Sequence, residues 1–328
     1  MNDREVPNDR SKVTIIGAGP IGMACAIELK KRGISSLLFD KGAPLENMRN
    51  WPLGMRFYSS ADKLSLGGIP FISDDLRPTR EEALRYYLAV ANHFGLDIHP
   101  NTRVLSLNSE GEIKSIETNK GRYHATEVIL ATGYYDHPRM LSVPGETLPH
   151  VSHYLHDPFR YAHSRVLIVG GSHSAVDAAL MLYRAGAEVH MLHRGDRFSE
   201  KLKYWVRPDL ENRIKEGHIS VHFQSKIAAI KEREVLVSRQ GESELMKLEC
   251  DFVLLLTGYE PDIRLMEMAG IEVDPLTRIP ALNPETLESN VEGIYVAGSL
   301  TAGRNLSKVF IENGREHAKR IARAIAGT

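Results

Sequence analysis

The sequence predicts an α/β fold in which a Rossmann-like dinucleotide-binding unit occurs twice. Three observations carry that prediction. An apolar run at residues 12–16 leads into Gly17-Ala18-Gly19-Pro20-Ile21-Gly22 and a helical stretch at 23–32. The pattern then recurs, with a run at 165–169, the turn Gly170-Gly171-Ser172 and a helical stretch at 174–184. Each copy is also matched downstream by a strand closing on a small-residue turn: 127–130 before Ala131-Thr132-Gly133-Tyr134, and 251–256 before Thr257-Gly258-Tyr259. Strand, glycine turn and helix in that order make the βαβ unit of a parallel sheet.

The remaining elements follow in chain order. Gly33 ends the first helix, and 36–39 reads as the next strand, closing on Asp40. Residues 80–94 carry apolar side chains at helical period and predict a core helix. Gly186 ends the second copy's helix before a strand at 188–192. The run 226–247, dense in charge with short alternating segments, predicts an exposed hairpin of the second domain. Gly293-Ile294-Tyr295-Val296-Ala297-Gly298 predicts a short strand ending in glycine, followed by a helix from about 306 to 326. The expected domains are therefore 1–154 for the first part of one unit, 155–265 for the inserted second unit, and 266–328 for the rest of the first.

Composition narrows the function classes. A chain of 328 residues suggests about two domains at roughly 150 residues each. Hydrophobic residues at 42% and charged residues at 25% are values of a soluble globular protein. The 41 Lys and Arg balance 42 Asp and Glu to a net charge of −1, which gives no electrostatic reason to expect nucleic acid or an anionic membrane. Residues 201–207 are basic with two aromatics, but one such loop on a neutral chain does not make a nucleic-acid surface. No stretch reaches the roughly 18 apolar residues of a membrane span, and the first twelve residues are polar, without an apolar run of signal-peptide length. Two cysteines, Cys25 and Cys250, exclude a disulfide framework. The expected address is cytoplasmic.

The glycine turns define the candidate chemistry. Gly17 permits a tight turn, Gly19 lets backbone approach a pyrophosphate, and Gly22 allows close helix packing. The helix N-terminus offers unpaired N–H groups and a positive dipole end to the phosphates. Asp40 is placed to accept the ribose hydroxyls of an unphosphorylated adenosine. The second strand of the second copy ends instead in Met191-Leu192-His193-Arg194, with Arg197 nearby. A carboxylate there would repel a 2′-phosphate, whereas His193 and Arg194 attract one, so this site is expected to prefer NADPH over NADH. Ser172 replaces the middle glycine of the second turn. The candidate NADPH residues are Gly170, Gly171, Ser172, His173, Ser174, Ala175, His193, Arg194, Arg197 and Gly258.

Two dinucleotide sites point to FAD in the first unit beside the nicotinamide cofactor in the second. In two-dinucleotide flavoenzymes a C-terminal strand like 293–298 meets the ribityl chain, and the following helix directs its positive end at the flavin pyrimidine ring. Ser299 stands where an aspartate is usual. The candidate FAD residues are Gly17, Gly19, Pro20, Ile21, Gly22, Asp40, Lys41, Asn50, Val104, Ala131, Thr132, Gly133, Gly298, Ser299, Lys308 and Val309.

The two glycine turns, Ala131-Thr132-Gly133 and Asn50-Trp51-Pro52 resemble the low-molecular-weight thioredoxin reductases. Residues 151–159 are similar to the segment carrying that family's CxxC, but here it reads His153-Tyr154-Leu155-His156. A closer resemblance, over nearly the whole chain, is to the bacilliredoxin reductases, also called bacillithiol-disulfide reductases. It rests on Phe57-Tyr58-Ser59-Ser60, Gly67-Gly68-Ile69-Pro70-Phe71, Pro78-Thr79-Arg80 with Glu82-Ala83-Leu84, Lys203-Tyr204-Trp205 and Phe310-Ile311-Glu312-Asn313-Gly314. The resemblance implies a thioredoxin-reductase-like fold, a homodimer, FAD and NADPH as cofactors, and a low-molecular-weight disulfide or small redox protein as electron acceptor. That family commonly carries a cysteine where this chain has Ile21. Cys25 follows about 6 Å along the same helix face and is the weak candidate for a catalytic thiol; its alternative reading is a packed apolar residue.

Several alternatives stay open at this level. A missing dithiol favours a one-electron carrier, ferredoxin or flavodoxin, as acceptor, and a non-catalytic flavin-binding redox sensor is a third class. A flavin monooxygenase needs a linker motif that Val143, Gly145 and His150 do not match. His150, His153 and His156 recur every three residues but read as a linker between domains rather than a metal site.

Overall fold

The computed structural model describes residues 10–200, 202–305 and 307–327. The first nine residues of the polar N-terminal stretch, Lys201 of the basic loop and Leu306, near the expected start of the last helix, lie outside them. The chain divides into two compact units, residues 1–49, 54–137 and 259–328 in the first, and 50–53 with 138–258 in the second.

The first unit opens with β1 (Arg10–Ile16), α1 (Pro20–Lys30) and β2 (Ser36–Phe39), then the short helices α2 (Glu46–Arg49) and α3 (Ala61–Leu64). The core helix α4 (Arg80–Phe94) begins at a capping box: the Glu82 backbone N–H donates to Thr79, and the Glu82 carboxylate accepts from the Thr79 N–H. Gly95 ends it in the left-handed region, and Ala83, Tyr87, Val90 and Ala91 form its buried stripe. Strands β3 (Asp97–His99), β4 (Val104–Glu110), β5 (Ile113–Thr118) and β6 (Gly121–Leu130) complete this part. The sheet order is β3-β2-β1-β6-β5-β4. β1, β2, β3 and β6 run parallel, whereas β4–β5–β6 form an antiparallel meander that the βαβ reading did not contain. Ten-residue β6 serves both patterns: Gly121–Ala125 pairs β5, and its later residues pair β1.

The second unit contains β7 (Val151–Ser152), β8 (Arg165–Val169), α5 (His173–Arg184), β9 (Glu188–Leu192), α6 (Arg207–Lys215), β10 (Ile219–His222), β11 (Ser225–Ile230), β12 (Glu234–Arg239), β13 (Met246–Glu249) and β14 (Phe252–Leu255). Its main sheet is parallel throughout, ordered β10-β9-β8-β14-β7. The expected exposed hairpin at 226–247 is instead a three-stranded antiparallel sheet, β11-β12-β13, with one face closed. Ile227, Ile230, Val235 and Val237 are buried there with Leu167, Val169 and Val253 of the main sheet. Alternation hid a two-sided element, because its charged residues line only the outer face.

The first unit then resumes with α7 (Arg264–Met268), β15 (Ile294–Val296), which pairs β6 in parallel, and α8 (Ile311–Ala326). α8 starts later than the expected 306 because the Asn313 side chain accepts the Phe310 N–H at 2.8 Å and so caps the helix there. The changeovers at 137/138 and 258/259 also differ from the expected 154/155 and 265/266. Residues 138–154 join the second unit because β7 pairs β14 and the Ile230 N–H donates to the Pro144 carbonyl at 2.8 Å. No helix among the described residues is long and apolar enough to cross a membrane.

Candidate functional site

In the first unit, the turn between β1 and α1 is built by packing. Gly17 has φ +112°, and a Cβ there would sit 2.4 Å from the Ala131 carbonyl oxygen. A Cβ on Gly22 would fall 1.9 Å from the Gly17 oxygen. Gly19 differs: it is the N-cap of α1, without a side-chain cap, and a Cβ there would meet nothing within 4 Å. The helix N-terminus is thus uncapped next to open space, and Pro20 at its first turn removes one N–H that would otherwise need a partner. That arrangement fits an incoming pyrophosphate.

Asp40 closes the same edge. Its Oδ2 accepts the Ala18 N–H at 2.9 Å and its Oδ1 the Gly42 N–H at 3.1 Å. Burial nevertheless holds its pKa above the ordinary carboxylate value, so these two bonds leave the carboxylate short of donors. Further hydroxyl donors, such as a ribose carries, would supply what it lacks. Nearby, Lys41 pairs with Asp136, and the Asn47 amide donates to the Thr132 carbonyl at 3.3 Å. Asn47 was not among the residues singled out from the sequence, and its Oδ1 is buried without a partner.

The strand ends bring the other candidates in. The Ala131 N–H donates to Ile16 O at 2.8 Å, and the Ala297 N–H to Leu130 O at 2.9 Å, so Ala131-Thr132-Gly133 and Gly298-Ser299 leave the same sheet edge as Gly17. Ile21 packs into the angle between them and α8: a Cβ on Gly298 would lie 3.2 Å from Ile21 Cγ1, and one on Gly314 3.2 Å from both Ile21 Cδ1 and Val309 Cγ1. Lys308 is exposed, its carbonyl accepting from Asn313 at 2.7 Å, and Val104 packs at the edge of the core on β4. Asn50 follows directly on α2. It belongs to the 50–53 segment of the second unit, where the Leu53 N–H donates to His156 O at 2.8 Å.

The second unit repeats the design with changes. Gly170 has φ +151°, and a Cβ there would stand 2.5 Å from Leu256 O and 2.9 Å from the Cβ of Ala175. Ser172, exposed, is the N-cap of α5 without a side-chain cap bond, and Ser174 is exposed beside it. His173 is the first residue of α5. The His193 ring covers Gly171, where a Cβ would come within 2.4 Å of Nδ1, and it stacks on Phe198 at 6.3 Å. Burial, then the neighbouring Arg194, lowers its pKa, so at neutral pH His193 is an uncharged ring. The expected phosphate attraction therefore falls to the two exposed arginines, Arg194 and Arg197, the latter paired with Glu200 at 3.3 Å. Gly258, exposed at φ +95°, accepts the Arg139 N–H at 2.9 Å.

Neither cysteine offers a thiolate. Cys25 is 0% exposed inside α1, and burial pushes its thiol up to about 12; Cys250 is 1% exposed and pushed up to about 11. The spaced histidines flank the edge strand β7, His150 before it and His153 and His156 after it, and His153 lies 3.4 Å from the buried Glu146 carboxylate. Among the described residues no group of three or more His, Cys, Asp or Glu could hold a metal ion.

A family model, Pyridine nucleotide-disulphide oxidoreductase, matches residues 14–298, which include both glycine turns. The chain belongs to that family. Membership implies use of a flavin and a pyridine nucleotide. Within this oxidoreductase family the chain is 41% identical to Bacilliredoxin reductase Bdr of Bacillus subtilis (strain 168), over 97% of its own length and 98% of the relative's. The solved structure of Bacillithiol Disulfide Reductase Bdr from Bacillus cereus matches at a TM-score of 0.94 and 37% identity, covering 97% of this chain and 99% of that one. A more distant relative is the Ferredoxin–NADP reductase of Ignicoccus hospitalis, 27% identical over 88% of this chain and 89% of its own. The family member described here is thus a homologue of the bacillithiol disulfide reductases, with the two-unit α/β fold that the sequence predicts.

Proposed function

We propose that the first unit binds FAD, that the second binds NADPH, and that the chain reduces a small disulfide, either bacillithiol disulfide or the disulfide of a bacilliredoxin. The observation that carries this reading is the 41% identity to a bacilliredoxin reductase over 97% of this chain and 98% of the relative. The uncapped α1 and α5 N-termini, Asp40 at one strand end and Arg194 at the other support the cofactor assignment. When bound, FAD supplies the two-electron relay between nicotinamide and acceptor. The chain's own residues hold phosphates at two helix ends and read the two riboses differently. Cys25 and Cys250 are buried in different units, so no dithiol of this chain stands between cofactor and acceptor. In balance, NADPH, one proton and the acceptor disulfide give NADP⁺ and two thiols. Homodimeric assembly and a cytoplasmic address belong to the same proposal.

The test is anaerobic reduction of the FAD-loaded protein with NADPH, followed by each acceptor in turn. Fast reoxidation by the low-molecular-weight disulfide or the disulfide protein, and slow reoxidation by ferredoxin or flavodoxin, is expected. The reverse order would favour the second reading, an NADPH-dependent ferredoxin or flavodoxin reductase, which the missing dithiol and the Ignicoccus relative support. Negligible turnover with every acceptor would favour a sensor.

A further inference from the structure

The peptide after β15 is held by a residue that no motif points to. Along β15 and just beyond it, backbone bonds follow the sheet, the last being Ala297 N–H to Leu130 O at 2.9 Å. The next donor, the Gly298 N–H, has left the sheet and donates to Nδ1 of His317 at 3.1 Å. Gly298 stands at φ +72°, a conformation that glycine reaches freely but is not confined to. Something must therefore select it, and two residues one turn apart on α8 meet this one peptide. Gly314 admits the close approach, since a Cβ there would be 3.6 Å from the Gly298 Cα, and His317 ties down the N–H.

We propose that His317 is a positioning residue for the flavin: its Nδ1 lone pair fixes the Gly298 peptide and, through it, the place of the α8 N-terminus beside the cofactor. This rests on the reading above, in which Gly298-Ser299 meets FAD. An acceptor for an N–H must carry a lone pair, so the ring is uncharged with its proton on Nε2. Its surroundings favour that form: burial, then the nearby Arg320, lowers the pKa to about 4. Ile21 packs on the other side of Gly298 with purely apolar contact, so the imidazole supplies the directional part of the clamp.

The experiment compares FAD binding by the full chain carrying His317→Asn, His317→Gln or His317→Leu. Asn places its amide oxygen where Nδ1 was, Gln places it where Nε2 was, and Leu has no acceptor. FAD is titrated into apoprotein by fluorescence quenching, and the bound spectrum and midpoint potential are recorded. The expected result is an Asn variant close to wild type in all three readouts, with Gln and Leu weakened roughly tenfold in FAD affinity, the effect of about one hydrogen bond, and shifted in spectrum and potential. Equal behaviour of Asn and Gln would overturn the proposal. So would a Leu variant that melts earlier yet binds FAD with unchanged affinity, spectrum and potential. Should the Leu variant not fold, the Asn–Gln pair decides. Wild-type protein that takes up no FAD would overturn the cofactor reading itself, and the His317 proposal with it; FAD uptake with no Asn–Gln difference overturns the His317 proposal alone.

Discussion

In the first unit, a Cβ on Gly22 would fall 1.9 Å from the Gly17 carbonyl oxygen, while the second unit already carries Ala175 at the matching place. The two turns share an order of strand, glycine and helix but differ in how closely helix meets strand. In the second turn the tolerance has an edge: a Cβ added to Gly170 would come within 2.9 Å of the Ala175 methyl. The third small residue of the turn answers to packing, whereas the residue at the end of the second strand is the one proposed to read the ribose. On the proposed function, two sites of one pattern would thus select different cofactors.

The largest effect that could break this comparison comes from exchanging the third position. Gly22→Ala should destabilise the protein by on the order of 3 kcal/mol, the upper end for overpacking a closed site, because backbone rather than a flexible side chain opposes the new methyl. Ala175→Gly should cost only about 0.5–1 kcal/mol, the helix penalty of glycine. Denaturant unfolding of both variants measures the difference. Equal destabilisation would mean that the two turns are packed alike.

The same contrast explains what could be seen in the sequence. Both turns, their flanking strands and Asp40 were legible, because a buried parallel strand is a short apolar run and the glycines that follow it are fixed by close approach. The 15-residue core helix was legible too, through its apolar stripe. Elements whose pairing is non-local were not. β7 is two residues long and gains its identity only from β14, so residues 138–154 read as part of the first domain and the histidines around β7 as a linker. The meander β4–β5–β6 and the buried face of β11–β12–β13 depend on partners that a local pattern does not name. His317 and Asn47 gave no signal, since a single polar residue on a helix declares its partner only once the fold is closed. His193 was legible as a residue but not as a charge: its neutrality follows from burial against Phe198 and Gly171.

The strand ends give the next test. Arg194 is exposed and free of the burial that neutralises His193, so it carries the proposed contact with a 2′-phosphate. A charge-assisted bond of this kind contributes roughly 1.5–3 kcal/mol, about tenfold or more in affinity. Arg194→Ala should raise the Michaelis constant for NADPH by that factor and barely change that for NADH. Steady-state kinetics with both nucleotides checks it. Equal losses would show that Arg194 does not read the phosphate, and the contrast with Asp40 would lose its meaning.

The smallest effect concerns the two thiols, one in each unit, both buried. Burial pushes the Cys25 thiol up to about 12, so it stays protonated at pH 7 and does not offer the thiolate that a nucleophile attacking a disulfide in every cycle needs. Cys25 is one of the buried residues of α1, and its sulfur acts there as a small apolar group. Cys25→Ala should therefore cost roughly 1 kcal/mol of stability, from a cavity of about one atom. It should keep FAD, NADPH-driven reduction and most acceptor turnover. Alkylation of the folded wild-type protein should stay slow and keep rising about tenfold per pH unit between about pH 7 and 9 without levelling off, since both thiols titrate above that range. Stopped-flow traces decide between the two roles. A variant that is reduced by NADPH at the wild-type rate but no longer reoxidised by any disulfide would make Cys25 catalytic, and would mean that α1 opens during turnover, because only an exposed helix face could bring that thiol to an acceptor.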